Sequence, residues 1–152
     1  MKNKILYIIF ILFGTLCVAE RPENINPNEL RFREIVATRT SMMPIIDGII
    51  DDEVWKTAMT EYDFIQFRPY NLAAPSERTE VRVIYDNEYM YVAINNFDTE
   101  PGKIIGRLSR RDSWMEAFGP HSDWVGVAFD SNNDDRTGYW FAVNPAGSRM
   151  DV

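Results

Sequence analysis

The chain has 152 residues, 45% hydrophobic and 13% aromatic, with 16 Lys and Arg against 23 Asp and Glu and a formal net charge of −7. That length suits one domain with enough apolar side chains for a core, and the acidic balance offers nothing to a phosphate backbone or an anionic membrane surface. The single cysteine, Cys17, excludes an internal disulfide framework and a CxxC zinc site.

Lys2 and Lys4 precede an apolar run from Ile5 to Phe13 that continues to Val18 and Ala19. This is the charged n-region and apolar h-region of a secretory leader. Ala19, with Cys17 two positions before it, marks a cleavage site, so residues 1–19 read as a signal peptide and Glu20 as the mature start. The run is short for a membrane span, which needs about 20 apolar residues. A cleaved leader therefore ranks ahead of an uncleaved anchor. A lipoprotein ranks last, because bulky Leu16 precedes the cysteine. The expected location is outside the cytoplasm, in a periplasm or associated with an outer membrane. Cleavage would remove the only thiol and two lysines, leaving the exported part more acidic still.

Residues 20–34 carry Pro22, Asn24, Asn26, Pro27 and Asn28 with little apolar periodicity and read as an extended linker. A folded domain is expected over 35–152. Ile35 to Thr40 is a short β-prone run, stopped by Pro44 and by the Asp47-Gly48 pair. Asp51 to Met59 has an acidic first turn and apolar residues at Val54, Trp55, Ala58 and Met59, which predicts a short amphipathic helix with Trp55 facing a core. A strand is expected over Phe64 to Phe67, then a loop from Pro69 to Pro75. Thr79 to Tyr85 alternates at period two, and Asp86-Asn87-Glu88 forms a turn before Tyr89 to Ile94, which predicts a β-hairpin. A second hairpin is expected to pair Asp123–Asp130 with Thr137–Asn144 across a polar turn, with an irregular stretch from Asp98 to Ser122 between the two. Short strands and one helix predict an all-β, antiparallel β-sandwich of jelly-roll type. At Arg149 to Val152 a further strand would be expected to begin, so the last strands are expected to be missing and a sheet edge left open.

Three blocks in order carry a family resemblance: Pro44 to Trp55, Val81 to Asp86 with Tyr89 to Val92, and Ser122 to Asp130 with Tyr139 to Gly147. Together they resemble family 9 carbohydrate-binding modules. In detail they are most similar to exported bacterial proteins that carry such a module ahead of a carboxy-terminal membrane β-barrel. The resemblance implies a non-catalytic domain that binds a saccharide, or alternatively an assembly or plug domain for an outer-membrane barrel partner with no sugar ligand. In sugar-binding members an Arg and an Asn lie two apart on the strand matching Phe141 to Asn144, and a Glu lies on the strand before it. Here those positions hold Ala142, Asn144 and Gly126, so Asn144 alone is kept. The family stacks a sugar between tryptophans; where one is expected this chain has Pro120, and it offers Trp114 instead. An aromatic face covers apolar C–H surface while polar neighbours take the hydroxyls. The candidate ligand residues are therefore Trp114, Trp140, Asn144, Arg107 and Arg110.

Structural calcium is also implied by the resemblance. Asp130, Asn132 and Asp134 alternate as the first half of a calcium loop does, but Asp135 stands where that loop has Gly and Phe141 where it has Glu. A polar hairpin turn is the favoured reading of this stretch. Arg107, Arg110 and Arg111 form a basic cluster that is expected to pair with Asp98, Glu100 and Asp112, or to receive a carboxylate ligand. His121 is the only histidine and lacks the context of a triad. The acidic pairs at Asp51–Glu53 and Asp134–Asp135 are neighbours in sequence, not two carboxyls facing across a glycosidic bond, and an enzyme is not expected.

Overall fold

A computed structural model describes residues 34–62 and 64–152. The leader over 1–19 and the linker up to residue 33 lie outside the described residues. The protein is all-β, with strands in two sheets and helix confined to single turns. It folds as two units, one holding Glu77–Thr99 and the segment ending at Phe64, the other holding Ile65–Ser76 and Glu100–Val152.

The first unit is built on β3 (Thr79–Tyr85) and β4 (Met90–Asn96), which pair antiparallel along their whole length, Thr79 opposite Asn96 and Tyr85 opposite Met90. The predicted turn closes as the sequence chemistry requires. Asp86 Oδ1 accepts the N–H groups of Glu88 and Tyr89, both at 2.7 Å, and Tyr91 Oη donates to Asp86 Oδ2 at 2.9 Å. The other edge of β3 is shared by β2 (Thr60–Glu61), antiparallel, and β1 (Thr38–Arg39), which runs parallel, so this sheet is mixed where an antiparallel one was expected.

The predicted helix is shorter than its apolar pattern suggests. Only α1 (Glu53–Lys56) forms, and it ends at Thr57. Asp52, at its N-cap, makes no capping bond; its Oδ2 accepts the N–H of Ile45 at 3.1 Å and so ties down the preceding loop. Val54 and Trp55 face inward as expected and pack with Ile84 and Ala93, flanked by Ile50, Ala58 and Tyr91. Full burial of a side chain such as Ile84 contributes roughly 1.5–3 kcal/mol.

The expected strand over Phe64 to Phe67, where the chain passes from the first unit to the second, does not form. The backbone of Gln66 is used locally, its N–H going to Ala73 O at 2.8 Å and its carbonyl accepting Leu72 N–H at 2.9 Å, which leaves no ladder to join. The second hairpin is present as β5 (Val125–Phe129) and β6 (Tyr139–Val143), paired from Val125 opposite Val143 to Phe129 opposite Tyr139. A third strand, β7 (Arg149–Asp151), pairs antiparallel with β6. Its outer edge is engaged rather than open. Asp112 N–H donates to Arg149 O at 3.0 Å, Asp112 Oδ1 accepts Asp151 N–H at 2.9 Å, and Arg111 is bonded to the Asp151 carboxylate.

Candidate ligand-binding site

The stretch read as irregular contains a second helical turn, α2 (Trp114–Ala117), followed by a 3-10 turn over Gly119–His121. One turn of helix is enough to put Trp114 and Phe118 on one face. Their rings stack at 6° with centroids 6.4 Å apart. Trp114 also meets the ring of Trp124 at 5.5 Å and that of Trp140 at 5.8 Å, and Trp124 lies edge-on to Trp140 at 5.5 Å. Phe118 and Trp124 are buried together with Ala117, Ala142 and Met150. Trp114, in contrast, is 37% exposed. The result is a half-open indole backed by three other rings.

Gly126, at the position where the family resemblance leads one to expect Glu, has a packing reason. A Cβ there would lie 2.6 Å from Nε1 of Trp140, so any side chain would displace the indole. Trp140 thus occupies space over the strand that a longer side chain would need, which brings it into the cluster with Trp114.

Asn144 is in a different position from that expected of a ligand residue. It is 4% exposed. Its Nδ2 donates to Arg107 O at 2.7 Å, Ala117 O at 3.0 Å and Ser122 Oγ at 3.3 Å, and its Oδ1 accepts the N–H groups of Ala146 and Ser148 at 3.0 and 2.9 Å. An amide has two donor hydrogens and one carbonyl oxygen, so the group is fully used inside the protein. Asn144 holds the turn between β6 and β7 to α2 and to the segment before it. The geometry corrects its reading as a group offered to sugar hydroxyls.

Arg107 and Arg110 are exposed on that preceding segment, which is anchored by Ser109 N–H on Ser148 Oγ at 2.8 Å and by Ser148 Oγ on Arg107 O at 3.0 Å. Neither guanidinium has a salt bridge to a carboxylate among the described residues. Arg111 does: its hydrogen bond to Asp151, then the charge of Asp151, raises its pKa. Of the expected partners, Asp112 lies 3.8 Å from Arg111; Asp151 is a further partner of Arg111 that was not expected, and Glu100 is paired with Lys103 at 2.7 Å.

The turn between β5 and β6 uses its own oxygens. Asp130 accepts the N–H groups of Asn132, Asp134 and Asp135 at 2.9–3.3 Å, and Asp134 accepts those of Arg136 and Thr137 with the Thr137 hydroxyl. These backbone bonds, led by Thr137 N–H, hold the Asp134 carboxyl below the usual carboxylate range. Asn132 Nδ2 donates to Thr137 Oγ1 at 3.0 Å. Asp130, Asn132 and Asp134 thus form a self-bonded polar hairpin turn.

The described residues include no helix long and apolar enough to cross a membrane. Comparison with known protein families, with curated proteins and with solved structures finds no match to this chain.

Proposed function

We propose that this chain is an exported, non-catalytic binding domain that takes a saccharide on Trp114. The observation that carries this reading is the exposure of Trp114 on a cluster of Phe118, Trp124 and Trp140. A tryptophan whose rotamer is fixed by packing loses little freedom on binding, so more of its stacking energy appears as affinity. Its indole supplies the apolar face for a sugar ring, and Arg107 and Arg110 supply hydrogen-bond donors on the segment that leads into α2. Asn144 and Trp140 support the platform from behind and beside.

The test is retardation of the whole protein in gels containing soluble plant and microbial polysaccharides, with intrinsic fluorescence as a second readout. At least one polysaccharide is expected to retard the wild type and to shift its emission. Trp114→Ala, folded by circular dichroism, is expected to lose at least about tenfold in affinity, equivalent to about 1.4 kcal/mol. Unchanged mobility and emission across the panel would overturn the reading.

A second reading, docking to an outer-membrane barrel partner, is favoured by the opposite face of the β5–β7 sheet. There Val125, Val127 and Phe129 lie beside Val143, Phe141 and Tyr139, and the last three are 41–59% exposed. Contiguous exposed apolar surface marks interaction sites. If this face docks, the exported protein will sediment with outer membranes and Phe141→Glu will release it. Equal sedimentation of both would count against docking.

A further inference from the structure

Asp47 and Gly48 form the single Asp-Gly pair of the chain, and no Asn in it is followed by Gly or Ser. They lie in the first unit, on the exposed loop that leads to α1, whereas Trp114 and its neighbours belong to the other unit. The loop is held at both ends. Pro44 is buried and Ile45 N–H donates to Asp52 Oδ2 at 3.1 Å, while Ile50 packs against Val54 and Trp55. Between these anchors Ile45, Ile46 and Ile49 are exposed.

Asp47 Oδ1 accepts the N–H of Ile49 at 2.9 Å. A carboxyl bonded two residues ahead is folded back over the intervening peptide, which brings its carbon alongside the Gly48 nitrogen. Among the described residues the Gly48 N–H has no acceptor and Asp47 Oδ2 has no donor. Gly48 stands at φ 88°, and a Cβ built there would meet nothing within 4 Å, so the nitrogen is uncrowded. Two other Asp residues precede a small side chain, Asp112 before Ser113 and Asp130 before Ser131. Their carboxylates are engaged: Asp112 Oδ1 accepts Asp151 N–H with Arg111 beside Oδ2, and Asp130 takes N–H groups on both oxygens.

We infer that Asp47 is a self-modification site, where the Asp47–Gly48 peptide isomerises to an isoaspartyl linkage through a cyclic imide. The Gly48 nitrogen attacks Cγ of the protonated Asp47 carboxyl. The N–Cγ bond forms, the Cγ–Oδ2 bond breaks, and Oδ2 leaves as water with the carboxyl proton and the amide proton. Ile49 N–H faces Oδ1, the oxygen on which negative charge develops during attack. Water then opens the imide at either carbonyl: opening at Cγ restores Asp47, and opening at the main-chain carbonyl leaves the chain running through Cγ. The water consumed equals the water released, and no other reactant is required. The extra backbone methylene falls in a solvent-facing loop between anchored ends, so the modified chain keeps its fold and loses the Asp47–Ile49 bond.

The experiment ages the full chain at neutral pH in water enriched in heavy oxygen, folded and in urea, and maps isotope and isoaspartyl linkage by peptide mass spectrometry. In urea Asp47, Asp112 and Asp130 are all expected to react. In the folded chain Asp112 and Asp130 are expected to slow strongly and Asp47 to keep its rate. Gly48→Ala, which crowds the nitrogen, should slow Asp47 by about tenfold or more. Trp114→Ala should change nothing, which separates this chemistry from the saccharide reading. No isoaspartyl linkage at Asp47, a folded-state slowing there as strong as at Asp112 and Asp130, or an unchanged rate in Gly48→Ala would overturn the inference. If Gly48→Ala does not fold, Asp47→Glu decides, because its longer side chain closes a larger ring far more slowly; undiminished label uptake in that peptide would place the reaction elsewhere.

Discussion

Asn144 makes five hydrogen bonds through one buried side chain, and this sets what its substitution does. Asn144→Ala strands the Ala117 carbonyl and the Ser148 N–H in a closed site, where each unmet group costs about 1–3 kcal/mol before relaxation, while Arg107 O keeps the Ser148 hydroxyl. A loss of roughly 2–4 kcal/mol in urea unfolding is expected. Asn144→Asp should be destabilised as well, because it sets a carboxylate against the carbonyls of Arg107 and Ala117. A wild-type melt with lost saccharide binding in Asn144→Ala would instead return this residue to the ligand site. Asp86 and Tyr91 give a pH signature. The N–H groups of Glu88 and Tyr89 lower the Asp86 pKa, while loss of hydration, then the hydrogen bond to Asp86, pushes Tyr91 up to about 12. For Tyr91 the folded value is the higher one, so its stabilisation is complete below about pH 10 and is lost as pH rises from about 10 to about 12. For Asp86 the folded value is the lower one, so its contribution is complete above about 3.8 and fades as pH falls through the depressed value. The stability gap between wild type and Tyr91→Phe should therefore close between pH 10 and 12; a gap constant over that range would contradict the assignment.

At the scale of elements, the outer edge of β7 tests how a strand rim is blunted. Asp112 stands at φ 62°, in the left-handed region, with its N–H on Arg149 O and its carboxylate on Asp151 N–H. Local side-chain bonding is what lets Asp adopt that conformation. Asp112→Ala loses the acceptor and keeps the strained φ, so faster amide exchange is expected at Asp151 while Val83, inside the other sheet, stays protected. Equal acceleration at both would indicate global rather than local loosening. The hairpins were legible because period-two runs and Asx turns are local signals, from Thr79 to Tyr91 and from Val125 to Val143. Two-residue β2 and one-turn α2 were not, since neither is long enough to show a period. Ser113 followed by Trp114, Ala117 and Phe118 at helical spacing was the available hint for α2. Phe64 to Phe67 shows the reverse case: its residues suit a strand, but the Gln66 backbone bonds to Leu72 and Ala73 instead.

For the whole molecule, the balance of 16 basic to 23 acidic residues outweighs the local Arg107–Arg111 cluster. Long-range attraction to a polyanion follows the summed field. The protein is expected to pass through a heparin column at low salt and to be retained by an anion exchanger. Retention on heparin that Arg107→Gln and Arg110→Gln abolish would show that the cluster acts alone, and would shift the ligand reading toward acidic polysaccharides.

Composition and alternation in the sequence determined the all-β class, the two hairpins, the inward Trp55 and the acidic surface, because each depends on neighbours within a few residues. Only the tertiary structure decided which polar groups are free. Asn144 and Arg107 are both polar, and both carry the donors a sugar hydroxyl needs. Folding places the amide of one among five internal partners and leaves the guanidinium of the other exposed, and no local pattern encodes that difference. The same holds for Gly126, whose missing side chain is explained by an indole reaching over from the paired strand. Cross-strand distances of this kind are set by register, and register is a property of the folded pair rather than of either strand.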